Sequence, residues 1–168
     1  MAYDAKHYGN KPGDPDAAAV LAENLGWWYR CMTTNGRHGS ALSLIIPVPS
    51  LRQRWPHNLP EVLARGISDA TGVRSDPTSL VVARKISEMK HIPEEQRPAA
   101  VAGAFEVAGP IEGEVLLVDD LLQSGATLSE CARTLRAAGA DKVFAACATR
   151  ALKGMGSPSP RPLTTLRT

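Results

Sequence analysis

The chain has 168 residues, 43% of them hydrophobic and 21% charged, with a formal net charge of +2. That length and balance suit one globular domain that buries its own core without metal or disulfide staples. The small charge argues against a partner held by electrostatics alone, whether nucleic acid or an anionic membrane. Cys31, Cys131 and Cys147 are an odd count with no C-x-x-C pair, so neither a disulfide framework nor a zinc ribbon is expected. Free thiols in a reducing cytoplasm are the simplest account. The N-terminal run MAYDAKHYGNKPGDPD has no apolar core of the signal-peptide kind, and no apolar stretch approaches the ~18 residues of a membrane span.

Residues 1–14 are polar and form a loose lead-in. DPDAAAVLAENLGWWYRC then predicts a helix, with Asp14 as cap, Pro15 in the first turn, and Leu21, Leu25 and Trp28 on one side. Trp27, Trp28 and Trp55 are read as core or hood aromatics. MTTNGRHGSA is a turn, and Leu42–Ile46 a buried strand that runs into a Pro-Val-Pro-Ser loop, where two prolines forbid further pairing. LPEVLARGISDATG predicts a second helix, started at Pro60 and ended by Gly72. SLVVAR is a strand. The long polar stretch KISEMKHIPEEQRPAAVAG follows, and loops of that length inside compact domains often act as lids or binding loops.

AFEV and EVLLVDD are strands around an AGPIEG turn. TLSECARTLRAAG is a helix with Leu128, Cys131, Ala132, Leu135 and Ala138 on one face, stopped by Gly139. DKVFAACAT is a further strand. Residues 1–155 thus form a single domain, and the Pro- and Ser-rich residues 156–168 read as a disordered tail. Strands alternating with helices predict a mostly parallel α/β sheet covered on both faces, with ligands at the carboxyl ends of its strands.

VLLVDDLLQSGATL, Val115 to Leu128, falls at such an end. Two adjacent carboxylates repel each other, and burying either without a partner is costly, so Asp119 and Asp120 call for hydroxyl donors, cations or a metal. The QSGAT loop leads straight into a helix. Backbone N–H groups at a helix start, with a glycine allowing close approach, make an anion cradle, and Ser124 and Thr127 add hydroxyls. The ligand that suits both halves is a sugar phosphate. No P-loop motif and no G-x-G-x-x-G fingerprint occur.

These residues resemble the phosphoribosyl pyrophosphate signature of the type I phosphoribosyltransferases: an apolar strand, two acids, two mostly apolar residues and a Thr/Ser-Gly-x-Thr loop. The resemblance implies that fold, with a mostly parallel central sheet, helices on both faces and a small N-terminal hood. It implies that Asp119 and Asp120 hold the ribose hydroxyls, and contact Mg²⁺ indirectly through ribose or water. Gln123, Ser124, Gly125, Ala126 and Thr127 would hold the 5′-phosphate. Glutamine does not titrate, so Gln123 departs from the relatives that carry a proton-transferring acid there.

The run IIPVPSLRQRW resembles the Pro-Val-Pro segment of the ComF-type, competence-associated branch. The pyrophosphate loop would then comprise Pro47, Val48, Pro49 and Ser50, with Arg52 or Arg54 as anion contacts. RPAAVAGAF resembles the end of the flexible loop in that branch. Arg84, Lys85 and Arg97 are the expected catalytic cations; Lys90 is a further loop cation and His91 a solvated loop residue.

The implied activity is transfer of phosphoribosyl from Mg²⁺–phosphoribosyl pyrophosphate to a nitrogen acceptor, in the cytoplasm, by a chain able to form a homodimer. The alternatives are a regulator that binds the donor or a nucleotide without chemistry, and an accessory to DNA uptake or processing. The sequence offers no strong basic patch for direct nucleic-acid contact.

Overall fold

The computed structural model describes residues 15–34, 42–50, 58–84, 86, 92–150 and 166–167. Helix α1 (Pro15–Thr34) precedes strand β1 (Leu42–Pro47), and helix α2 (Leu59–Thr71) follows it. Strand β2 (Leu80–Val82) leads through a 3₁₀ turn (Glu94–Gln96) to the short helix α3 (Arg97–Val101) and strand β3 (Phe105–Val107). Then come β4 (Glu114–Leu122), α4 (Ala126–Ala137), β5 (Lys142–Arg150) and β6 (Leu166–Arg167). No helix among the described residues is long and apolar enough to cross a membrane.

The main sheet has the order β1-β4-β5-β6. The two inner pairings, β1 with β4 and β4 with β5, are parallel; β6 joins β5 antiparallel, Leu166 opposite Ala145, within the segment that composition reads as a disordered tail. β2 and β3 pair antiparallel with each other as a separate ribbon, so β3 does not join β4 across the turn between them.

The crossovers locate the crevice. From β1 the chain passes through α2 and returns to the outer edge of β1, where Ser75 bridges Ile45 in parallel; the Ile45 amide donates to Arg74 O and the Asp76 amide to Ile45 O, both at 2.9 Å. From β4 it passes through α4 to β5, on the other side. The two crossovers step in opposite directions, so right-handed connections put their helices on opposite faces. The boundary between β1 and β4 is therefore a topological switch point, and the carboxyl ends of those strands flank an open crevice.

Each face has its own core. On one, Leu116 and Val118 of β4 pack with Ile45, Ala146 and the apolar sides of α1 and α2. On the other, Val115 and Leu117 pack with α4 residues Leu128, Cys131, Ala132 and Leu135 and with Leu80 and Phe105 of the ribbon. α1 and α2 cross closely. A Cβ on Gly66 would stand 2.5 Å from the Ala22 Cβ, and one on Gly26 only 2.7 Å from Gly66 O, so glycine is what lets the backbones approach. Gly72 ends α2 as expected, with φ +77° and its N–H donated to Ser68 O.

Trp28 packs against the α1–α2 core, but Trp27 is 66% exposed and is no core aromatic. Asp14, Arg54, Trp55, Lys90 and His91 lie outside the described residues.

Candidate functional site

β4 continues two residues past its aspartates, because β5 is long enough to partner it: Leu121 pairs with Thr149 and Leu122 with Arg150. The Thr149 hydroxyl donates to Asp120 O at 2.8 Å. Asp119 and Asp120 are both half-buried, and the Asp119 carboxylate accepts the Asp120 amide at 2.8 Å. Asp119 sits opposite Cys147 in the β5 register.

The field of these carboxylates reaches two buried thiols. Burial first, then the charges of Asp119 and Asp120, pushes Cys147 up to about 12. Burial, then Asp119 and Glu130, pushes Cys131 up as well. Neither thiol ionises near neutral pH, so both are packing groups and not nucleophiles.

After Leu122 the chain turns through Gln123 and Ser124, both exposed, to Gly125. Gly125 has φ +77°, a left-handed conformation that glycine adopts without steric cost, and from it α4 begins. The N-cap, Gly125, has no side chain to cap this helix start; the Ser124 hydroxyl accepts the Ala126 amide at a long 3.4 Å. The remaining first-turn N–H groups, with the positive end of the helix dipole, are thus available to an anion. Asp119, Asp120, Gln123, Ser124, Gly125, Ala126 and Thr127 line a single open cleft of about 230 Å³, together with Arg97. Among the described residues, no group of three or more His, Cys, Asp or Glu could hold a metal ion.

The other expected residues fall in three groups. Pro47 pairs with Val118, and the Val48 amide donates to Val118 O at 2.8 Å, so the Pro47–Ser50 run leaves the sheet immediately beside Asp119. Pro47 and Val48 are buried, Pro49 is half-buried and Ser50 is exposed. Arg97 belongs to the long polar stretch and Arg84 immediately precedes it. Arg97 opens α3; its Nε donates to Ile92 O at 3.1 Å and its Nη1 stands 3.5 Å from Gln123 Oε1. Arg84 Nη2 instead donates to Ala100 O and Ala102 O, at 3.0 and 2.6 Å, and so secures the end of α3. Lys85 and Arg52 lie outside the described residues.

Glu130 is a residue that sequence reasoning missed. It is 9% exposed, and its carboxylate accepts the Gly103 amide at 2.7 Å and two Arg133 bonds at 2.8 and 2.7 Å. The Arg133 bonds, then the Gly103 N–H, hold its pKa below the usual value against the effect of burial. The i,i+3 spacing to Arg133 is legible as an ion pair, but the reach to Gly103 is not.

No family model matches the chain. Ribose-phosphate pyrophosphokinase 1 of Listeria monocytogenes is 33% identical over 92 residues, which is 51% of this chain and 29% of that protein. Ribose-phosphate pyrophosphokinase 2 of Enterococcus faecalis is 34% identical over 92 residues, 51% of this chain and 28% of its own length. Among solved structures, the glutamine phosphoribosylpyrophosphate amidotransferase of B. subtilis, complexed with ADP and GMP, superposes with a TM-score of 0.51 at 22% identity, over 79% of this chain and 26% of that one. A structure described as the allosteric regulatory enzyme of purine biosynthesis gives 0.50 at 22% identity, over 77% of this chain and 26% of that one. The chain spans less than a third of the length of each of these proteins. Its α/β fold, with a parallel sheet and helices on both faces, is that of the type I phosphoribosyltransferases.

Proposed function

We propose that the protein binds phosphoribosyl pyrophosphate in this cleft and transfers its phosphoribosyl group to a nitrogen acceptor, releasing pyrophosphate. One observation carries the reading: two adjacent carboxylates and an uncapped, glycine-entered helix start line the same cleft at the switch point of the sheet. A ribose diol suits the aspartates and a 5′-phosphate suits the α4 N-terminus. The names of the similar proteins share ribose phosphate chemistry, which supports the same class of ligand.

Mg²⁺ is compatible with the site. It is usually held by one or two carboxylates together with substrate phosphates, not by an all-protein cage, and Asp119 and Asp120 are such a pair. When bound, it supplies positive charge to the pyrophosphate leaving group. In the transfer, the C1′–O bond to pyrophosphate breaks, a C1′–N bond forms, and the acceptor nitrogen loses its proton. Arg97, at the cleft wall, is placed to offset the negative charge that grows on the leaving group. Gln123 is a neutral amide and takes no proton, so the acceptor proton passes to solvent or to the departing pyrophosphate. Within this reading the Pro47–Ser50 loop and the Arg97–Phe105 run resemble the ComF-type branch.

The test is donor-induced stabilisation. At about 100 Kd of donor with Mg²⁺, thermal unfolding should report about 2.7 kcal/mol of added stability. Asp119→Asn and Asp120→Asn abolish that gain, and an unchanged gain in both would remove the carboxylates from the site. A second reading, donor binding without transfer, is favoured by the neutral Gln123. Pyrophosphate release in the presence of a nitrogen-acceptor panel, against release with no acceptor, separates the two.

A further inference from the structure

We infer that Glu130 is a positioning residue that holds Arg97 at the cleft, acting through Gly103 and α3; the inference rests on the donor-binding reading of that cleft. Glu130 is the charged side chain buried among the described residues. An i,i+3 pair with Arg133 alone forms equally well at an exposed position, so it does not account for the burial. The Gly103 amide does. Glu130 reaches out of α4 to a backbone N–H 27 residues earlier in the chain, at 2.7 Å.

That amide lies at the end of α3. Arg84 takes the Ala100 and Ala102 carbonyls on one side, and Glu130 takes the Gly103 N–H on the other, so the turn after α3 is clamped through both its acceptors and its donor. Arg97 stands at the opposite end of the same five-residue helix. A helix so short passes a rotation at its clamp directly to its first residue, roughly 6 Å away along the axis.

Glu130 also follows Ala126 by four residues, on the same face of α4. One rigid helix therefore carries the anion-binding loop at its start and, one turn on, the anchor for the neighbouring cation. The consequence is that Arg97 and the loop hold a fixed spacing, seen in the approach of Arg97 to Gln123 Oε1.

The experiment uses the full chain, Mg²⁺–phosphoribosyl pyrophosphate as probe, and the variants Glu130→Ala, Glu130→Gln and Arg133→Ala. Glu130→Ala weakens donor affinity by up to about fivefold, the loss expected when Arg97 itself is removed, because Glu130 acts through it. Arg133→Ala, which keeps the Gly103 bond, changes affinity by less than about twofold, and Glu130→Gln, which keeps an acceptor for that amide, recovers most of the loss. Equal losses in Glu130→Ala and Arg133→Ala would reduce Glu130 to a helix ion pair and overturn the inference, as would no loss in Glu130→Ala.

Amide hydrogen exchange at Gly103, measured without donor, is the independent readout. It accelerates in Glu130→Ala and not in Arg133→Ala, and an unchanged rate in Glu130→Ala overturns the anchor. A wild-type protein that binds no donor sinks the donor reading, while the exchange result still decides the anchor. Where Glu130→Ala does not fold, Glu130→Asp, one methylene short of Gly103, takes its place and gives the same loss.

Discussion

The two faces of the sheet are built from consecutive residues of one strand, yet they do different work. Leu116 and Val118 of β4 face α1 and α2, where the core is apolar and two glycines bring the helices together. Val115 and Leu117 face α4, where the core ends at Asp119, the Cys131 and Cys147 thiols and buried Glu130. The first face stabilises the molecule by burial and close packing. The second gives up part of that burial to hold charged groups in a fixed arrangement. Substitutions on the first face should therefore cost stability without altering donor affinity, and those near the cleft the reverse.

The largest expected effect is on the first face. Leu63, fully buried on α2, loses about 3 kcal/mol as Leu63→Ala, read from the urea midpoint at unchanged slope. Gly66→Ala is next. Its new Cβ would meet the Ala22 Cβ and backbone at 2.5–2.8 Å, so the helices must separate, at a cost of about 2 kcal/mol. On the proposed reading, both variants, measured well below their melting temperatures, keep the wild-type affinity for phosphoribosyl pyrophosphate. A loss of affinity in either would break the division between the faces.

How much of that division is legible in the sequence depends on range. The helices, the strands and the Gly72 stop follow from periodicity and turn chemistry, which are local. The Val115–Leu128 stretch is legible as a candidate site for the same reason: its carboxylates, glycine and helix start are adjacent in the chain, and the structure lines one cleft with them. What is not legible comes from contacts distant in sequence. Arg84, just before the polar stretch, and Arg97, within it, look alike as cations, and only the placement of α3 sends one to backbone carbonyls and the other to the cleft wall. Glu130 reads as a surface partner of Arg133 until Gly103 is brought against it. The extension of β4 to Leu122 depends on β5 reaching Arg150. Trp27 lies one position off the apolar stripe that Trp28 continues, so rotation about α1 separates two adjacent tryptophans.

The cleft face is tested next by Arg97→Ala. Arg97 is half-buried, and its removal takes one cation from the wall without leaving a cavity in either core. Donor affinity falls about fivefold, roughly 1 kcal/mol, while the urea midpoint stays within experimental error. Salt dependence sharpens the reading: the affinity gap between wild type and variant narrows as ionic strength rises, because a cation facing an open cleft is screened. A gap that does not change with salt would assign Arg97 to packing.

The smallest effect lies outside both faces, in the turn that follows the Ser75 bridge. Asp76 Oδ1 accepts the Thr78 amide at 2.9 Å, the Thr78 hydroxyl at 2.7 Å and the Ser79 amide at 3.2 Å, and Arg74 stands 3.1 Å from its other oxygen. The Thr78 hydroxyl foremost, aided by the backbone bonds and Arg74, holds the carboxyl at about 2, below the 3.8 of a free aspartate. A lowered folded-state pKa means that the unfolded chain takes up the proton first as pH falls. The stability this carboxylate contributes is thus fully present above about pH 4 and is lost as pH drops through about 2. With solvent screening the amount is about half a kcal/mol. Asp76→Asn keeps the side-chain acceptor but does not titrate, so its unfolding free energy, followed from pH 5 to pH 2.5, falls less steeply than that of the wild type. Parallel curves would mean that the acid sensitivity arises elsewhere, and would direct attention to Glu130, another carboxylate whose pKa is lowered by its partners.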